Sequence, residues 1–303
     1  MRGWREVKAL VERSPGLVLV VAVVCISSAS ILIRLSEAPA PAIAFYRLGY
    51  AVIIHGALSL RRLSGFRRFA RSDLYRALGA GVFLAAHFLM WVTSLGYTTV
   101  ASSTVLVSFH PVFTALGGYL LFKEPLGRRG VVSIGLAMAG TAIIAYGGYM
   151  GETPVLRGDL LALGGAFGMA AYLLIGRGVR RRVDTLPYTV VVYGAATLTL
   201  LIPLLVTQLP IGGYPMREHL IFVALAILPT LLGHTLLNWA LAHVQVAGVS
   251  TAVLGEPLGA TLLAYVILFE TPTSYQWFGG GLILIGLALF SWGRRIRPKA
   301  RGV

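Results

Sequence analysis

The stretch ASSTVLVSFHPVFTALGGYLLF, residues 101–122, is an apolar run long enough to cross a bilayer, yet it carries Pro111 at its centre. A second run, AGVSTAVLGEPLGATLLAYVIL at residues 247–268, places Pro257 at the same point, 146 residues further on. At that offset Leu95, Ala101, Val107, Leu116, Tyr119, Glu124, Gly135, Leu136, Gly140, Ala142 and Gly147 meet Leu241, Ala247, Val253, Leu262, Tyr265, Glu270, Gly281, Leu282, Gly286, Ala288 and Gly293. Apolar matches between apolar segments carry little weight; the Pro, Tyr, Glu and Gly matches carry much more, and the chain reads as an internal duplication. A proline inside a helix removes the bond to the carbonyl four residues back, which here frees Val107 and Val253 near the bilayer centre. Irregular backbone at that depth must be buried in protein or line a cavity. Matching breaks in two halves therefore point to a secondary transporter.

Composition agrees. The chain is 57% apolar and 12% charged, and its apolar runs of about 20 residues suit a hydrocarbon core. The fold class is all-α and polytopic, with ten transmembrane helices: residues 16–35, 42–60, 75–95, 101–122, 130–148, 158–176, 186–206, 219–241, 247–268 and 275–293. A cleavable signal peptide competes for the first span, since basic residues precede an apolar stretch ending in the small residues Ser27 to Ser30. Removing that span would spoil a five-plus-five repeat.

The net charge of +15 invites a nucleic-acid reading, but the placement of the basic residues decides otherwise. With the N-terminus inside, 22 of the 26 Lys and Arg fall in cytoplasmic segments, among them Arg61, Arg62, Arg67, Arg68, Arg181 and Arg294. The outer side keeps Arg34, Arg157 and Arg217, and Arg47 alone lies well within a span. That bias is the positive-inside rule, and it puts both termini in the cytoplasm of a multi-pass cell-membrane protein. Such loops attract anionic lipid headgroups, and no soluble domain exists to dock a duplex.

Each half holds five spans, an odd number, so the second half starts on the opposite face and the repeat is inverted. The expected organisation is a cytoplasmic interfacial segment at residues 1–15, a first repeat at 16–149, a linker at 150–157, a second repeat at 158–293 and a basic cytoplasmic tail at 294–303. No extramembrane stretch has room for a catalytic or nucleotide-binding domain, and no Gly-rich phosphate loop occurs. No cofactor is called for. Cys25 is alone, so a disulfide within the chain is excluded, and the six histidines show no close metal-binding spacing.

The residues that could handle a substrate are the polar ones at depth. His110 and Glu256 precede the two prolines at equivalent positions. A midplane carboxylate is costly and must face the interior, be protonated or hold a cation, so Glu256 is the candidate for a cationic group or a coupling proton. His110 shares a face with Ser103, Thr114 and Gly117 and is either hydrogen-bonded or a proton carrier. His87, Trp91 and Ser94 form one polar stripe in the third span, and His234 and Asn238 another in the eighth. Trp91 and Trp239 fit an aromatic belt as well as ligand stacking. Arg47, flanked by Tyr46 and Tyr50, either snorkels to the outer surface or reads a substrate carboxylate with its planar fork. Glu124 and Glu270 end their helices near the membrane surfaces and suit ion pairs or turn contacts.

Taken in order, Phe-Tyr-Arg at 45–47, Glu-Pro-Leu-Gly-Arg-Arg-Gly-Val-Val-Ser-Ile-Gly at 124–135, Gly-Glu-Pro at 255–257, Phe-Glu at 269–270 and Gln276 resemble the EamA-type branch of the drug/metabolite transporter superfamily. The resemblance runs from about residue 15 to 293. It implies ten helices in inverted repeats, with helices one to four and six to nine around a central cavity and helices five and ten outside. It does not name a substrate: the family includes exporters of amino acids and related metabolites, with relatives that move nucleotide sugars, lipid-linked sugars or cationic drugs. His110 departs from the carboxylate at Glu256, so the halves contribute unlike charge to the site.

The expectation is a secondary transporter for a small polar or amphipathic, amino-acid-like metabolite, exporting by alternating access and open to proton coupling. Its substrate-binding candidates are Arg47, Tyr50, His87, Trp91, His110, His234, Asn238 and Glu256, with Pro111 and Pro257 as helix breaks. The competing expectation is a lipid flippase or membrane enzyme using the same polar midplane.

Overall fold

The computed structural model describes residues 15–59, 69–97, 103, 106–124, 127–149, 156–268 and 274–292. The interfacial segment, the basic tail, most of the linker, Arg61, Arg62, Arg67, Arg68 and Glu270 lie outside these residues. The helices are α1 Pro15–Leu35, α2 Ala40–Ser59, α3 Arg71–Ser94, α4 His110–Phe122, α5 Arg128–Tyr149, α6 Leu156–Arg180, α7 Thr185–Val206, α8 Met216–Leu225, α9 Thr235–Ala240, α10 Val246–Val253, α11 Glu256–Leu268 and α12 Ser274–Trp292. A π-helical segment, Ala226–His234, joins α8 to α9.

Seven helical stretches among the described residues are long and apolar enough to span a membrane. They are Pro15–Leu35, Ala40–Leu58, Arg71–Ser94, Arg157–Arg180, Thr185–Val206, Met216–Ala240 and Gly248–Ile267. The fourth, fifth and tenth expected spans overlap α4, α5 and α12. Side chains such as Val20, Leu198, Ile202 and Val206 are exposed and apolar, a surface suited to lipid.

Both prolines sit where a helix restarts. Pro111 is in the first turn of α4 after turn residues Ser108 and Phe109, and Pro257 is in the first turn of α11 after Leu254 and Gly255. The first turn is where a missing N–H costs least, since that group has no partner in the helix anyway. The expected kink at Pro257 is therefore a break between α10 and α11, and at Pro111 it is the start of α4 at His110.

Close packing depends on glycines. A Cβ on Gly81 of α3 would lie 2.5 Å from Val192 O of α7, and one on Gly168 of α6 would lie 3.0 Å from Phe83 O of α3. These approaches bring α3 against α6 and α7, among its main neighbours. Helix α5 packs chiefly on α12. At the C-terminus of α4, left-handed Lys123 turns Glu124 toward α6, where its carboxylate pairs with Arg177 at 2.8 Å and Arg181 at 3.2 Å. Arg177 also donates to Leu241 O, tying α4, α6 and the end of α9 together.

Candidate functional site

A cavity opens where the two breaks face each other, lined by Ile26 and Ala29 from α1, Arg47 from α2, and His87, Phe88 and Trp91 from α3. Val107, Ser108 and His110 line it from the first break, Val253, Glu256 and Pro257 from the second, and Met169 and His234 complete it. No lining residue comes from α5, α7 or α12. Seven of these residues are site candidates or helix breaks read from the sequence, drawn from five separate spans, and folding gathers them.

Arg47 does not snorkel. Its side chain is 2% exposed, Nε donates to Thr230 Oγ1 at 2.7 Å, and Cζ lies 4.2 Å from the centre of the Phe88 ring. Its Nη1 is buried with no hydrogen-bond partner among the described residues. His87 Nδ1 is 3.0 Å from Gly165 O, and because a carbonyl only accepts, the proton of that ring sits on Nδ1. The carbonyl can come so near because Gly165 and Gly168 let α6 lie against α3. Trp91 is buried, stacks on His87 with 5.9 Å between rings, and among the described residues its Nε1 has no partner. It faces the cavity rather than a lipid belt.

His110 Nδ1 lies 2.6 Å from Ser250 Oγ of α10. His234, at the end of the π-helical segment, packs its edge on Phe88 and leaves Nδ1 unpartnered among the described residues. Glu256 is half-buried at the start of α11, and Ser27 Oγ of α1 donates to its backbone oxygen at 3.3 Å. A carboxylate in the first turn of a helix is favoured by the partial positive charge of that terminus. Arg47 and Glu256 thus face one cavity, and among the described ion pairs none joins them.

Two expected members lie elsewhere. Tyr50 OH bonds His219 Nδ1 at 2.8 Å, beside an aromatic group in which Tyr46 stacks on Phe222 at 4.9 Å. Asn238 is fully buried one turn beyond His234, where Nδ2 donates to His234 O at 2.9 Å and to Tyr172 OH. Pro111 is buried but does not line the cavity. Sequence reasoning missed Phe88, Met169 and Thr230; for Thr230 the available signal was Pro229, a helix breaker inside the eighth span. Among the described residues no group of three or more His, Cys, Asp or Glu side chains could hold a metal ion.

Comparison with known proteins places this arrangement in context. The EamA-like transporter family matches residues 14–146 and again residues 156–292. An uncharacterized transporter of Synechocystis sp. is 24% identical over 76% of this chain and 70% of its own length. A probable amino-acid metabolite efflux pump of Salmonella typhimurium is 26% identical over 71% of this chain and 74% of its own. A probable terminal-alkyne amino-acid exporter of Streptantibioticus cattleyicolor is 25% identical over 86% and 92%. One solved crystal structure, 21% identical, shares the fold with a TM-score of 0.75 over 93% of this chain and 98% of its own.

Proposed function

Because this chain belongs to the EamA-like transporter family, we propose that it exports a small amino-acid-like metabolite across the cytoplasmic membrane by alternating access. The observation that carries the reading is the placement of Arg47 and Glu256 around one cavity with no ion pair between them among the described residues. A buried guanidinium with a free edge asks for a carboxylate, and a midplane carboxylate asks for a cation. A zwitterion supplies both. Ile26, Ala29, Met169 and Val253 offer an apolar wall for a small side chain, and the His87 and Trp91 rings offer a flat one.

Two relatives with names that refer to amino-acid export support the substrate class and direction. In this reading the chain has ten helices in inverted repeats with both termini cytoplasmic, as the basic-residue bias requires. His110 and His234 serve as polar lining, and Glu256 takes the ammonium group.

Counterflow in proteoliposomes, screened over the twenty L-amino acids, tests the proposal. Accumulation of at least one small apolar amino acid is expected, with loss in both Arg47→Gln and Glu256→Gln. Failure of all twenty overturns the substrate class.

A further inference from the structure

Thr230 lines no part of the cavity and is fully buried, yet it holds a side chain that does. It belongs to the π-helical segment Ala226–His234, whose interior contains Pro229. A proline there lacks the N–H that an α-turn would use, and the wider turn accommodates the loss. Thr230 Oγ1 donates to Leu225 O at 2.9 Å, five residues back. Its backbone oxygen accepts from Thr235 N–H, from Thr235 Oγ1 at 3.3 Å and from Tyr193 OH at 3.5 Å. With its proton given to Leu225 O, the hydroxyl can only accept, and one of its lone pairs faces α2. That lone pair receives Arg47 Nε–H at 2.7 Å.

A guanidinium held at Nε from the side and backed on its face by the Phe88 ring has both its plane and its rotation set. What remains free is the outer edge, where Nη1 has no partner among the described residues although Arg47 is 2% exposed. We infer that Thr230 is a positioning residue that fixes Arg47 so its guanidinium edge meets a substrate carboxylate in the cavity. This rests on the reading of Arg47 as the carboxylate-binding group given above. The π-helical turn thereby acquires a purpose: it aims one hydroxyl at a neighbouring helix, and through it sets preference for carboxylate-bearing substrates.

The test uses purified full-length protein in detergent and scintillation-proximity binding of tritiated L-leucine, a probe whose side chain suits the apolar wall. Two competitors divide the molecule: 4-methylpentanoate keeps the carboxylate without the amine, and 3-methylbutylamine keeps the amine without the carboxylate. Thr230→Val preserves shape and removes the hydroxyl; it should weaken competition by 4-methylpentanoate about tenfold while 3-methylbutylamine stays within about twofold. Thr230→Ser should restore the first value. Equal losses for both competitors, or no loss for 4-methylpentanoate, overturn the positioning role. Arg47→Gln separates the two levels: if it too leaves 4-methylpentanoate unaffected, or if the unmodified protein does not bind L-leucine, the carboxylate reading itself fails.

Discussion

His110 Nδ1 lies 2.6 Å from Ser250 Oγ, so the residue that precedes the first-half proline is bonded to the helix that precedes the second-half proline. The two breaks are thus joined across the duplication. A hydrogen bond between buried groups contributes about 1 kcal/mol net, and more is lost when one partner is left unsatisfied. Ser250→Ala should lower the melting temperature of the detergent-solubilised protein by a few degrees and reduce the counterflow rate by a larger factor than its effect on folded protein yield. An unchanged rate at matched protein amounts would show that the breaks work independently.

Two glycine pairs related by the 146-residue offset behave oppositely. A Cβ on Gly140 would stand 2.3 Å from Gly279 O, and one on Gly286 would stand 2.7 Å from Ser133 O, so both hold α5 and α12 in close contact. Gly135 and Gly281 have nothing within 4 Å of that position. Gly140→Val or Gly286→Val should therefore cost about 1–3 kcal/mol of stability through overpacking against backbone. Gly135→Ala and Gly281→Ala should leave the thermal unfolding curve unchanged or move it slightly upward. Equal destabilisation by all four would discard the assigned interface.

Glu256→Gln keeps the shape of a cavity-lining side chain and removes its charge. With an ammonium group as its partner, gradient-driven transport and substrate-for-substrate exchange should both fall about tenfold or more, the equivalent of about 1.4 kcal/mol. Loss of pH-gradient dependence with exchange intact would reassign the carboxylate to a coupling proton. Full activity in both assays would remove it from the site.

The topology carries its own prediction. In a Cys25→Ala background, Arg181→Cys should react with a membrane-impermeant maleimide only from the cytoplasmic side, and Gly212→Cys only from outside, as the basic-residue bias requires. Both positions are exposed. Labelling of the two from one side would overturn the orientation, and with it the inverted reading of the repeat.

The sequence by itself determined the duplication, the apolar segments, the one-sided basic residues and the two prolines. Each is a property of composition or spacing along one dimension, and bilayer thickness converts such spacing into helices. It also singled out His110 and Glu256, because polar groups flanking a break at membrane depth stand out against apolar neighbours. Tertiary structure decided which faces meet. Whether Arg47 points to the surface or inward depends on Thr230 and Phe88, which lie 183 and 41 residues away along the chain. Tyr50 and Asn238 share the polarity of the cavity residues, yet Tyr50 turns to His219 and Asn238 to Tyr172. Those choices follow from how closely helices approach at Gly81, Gly165 and Gly168 and from the added width of the π-turn at Ala226–His234. Helix rotation and separation are set by packing against partners distant in sequence, so no periodicity within a single span could reveal them.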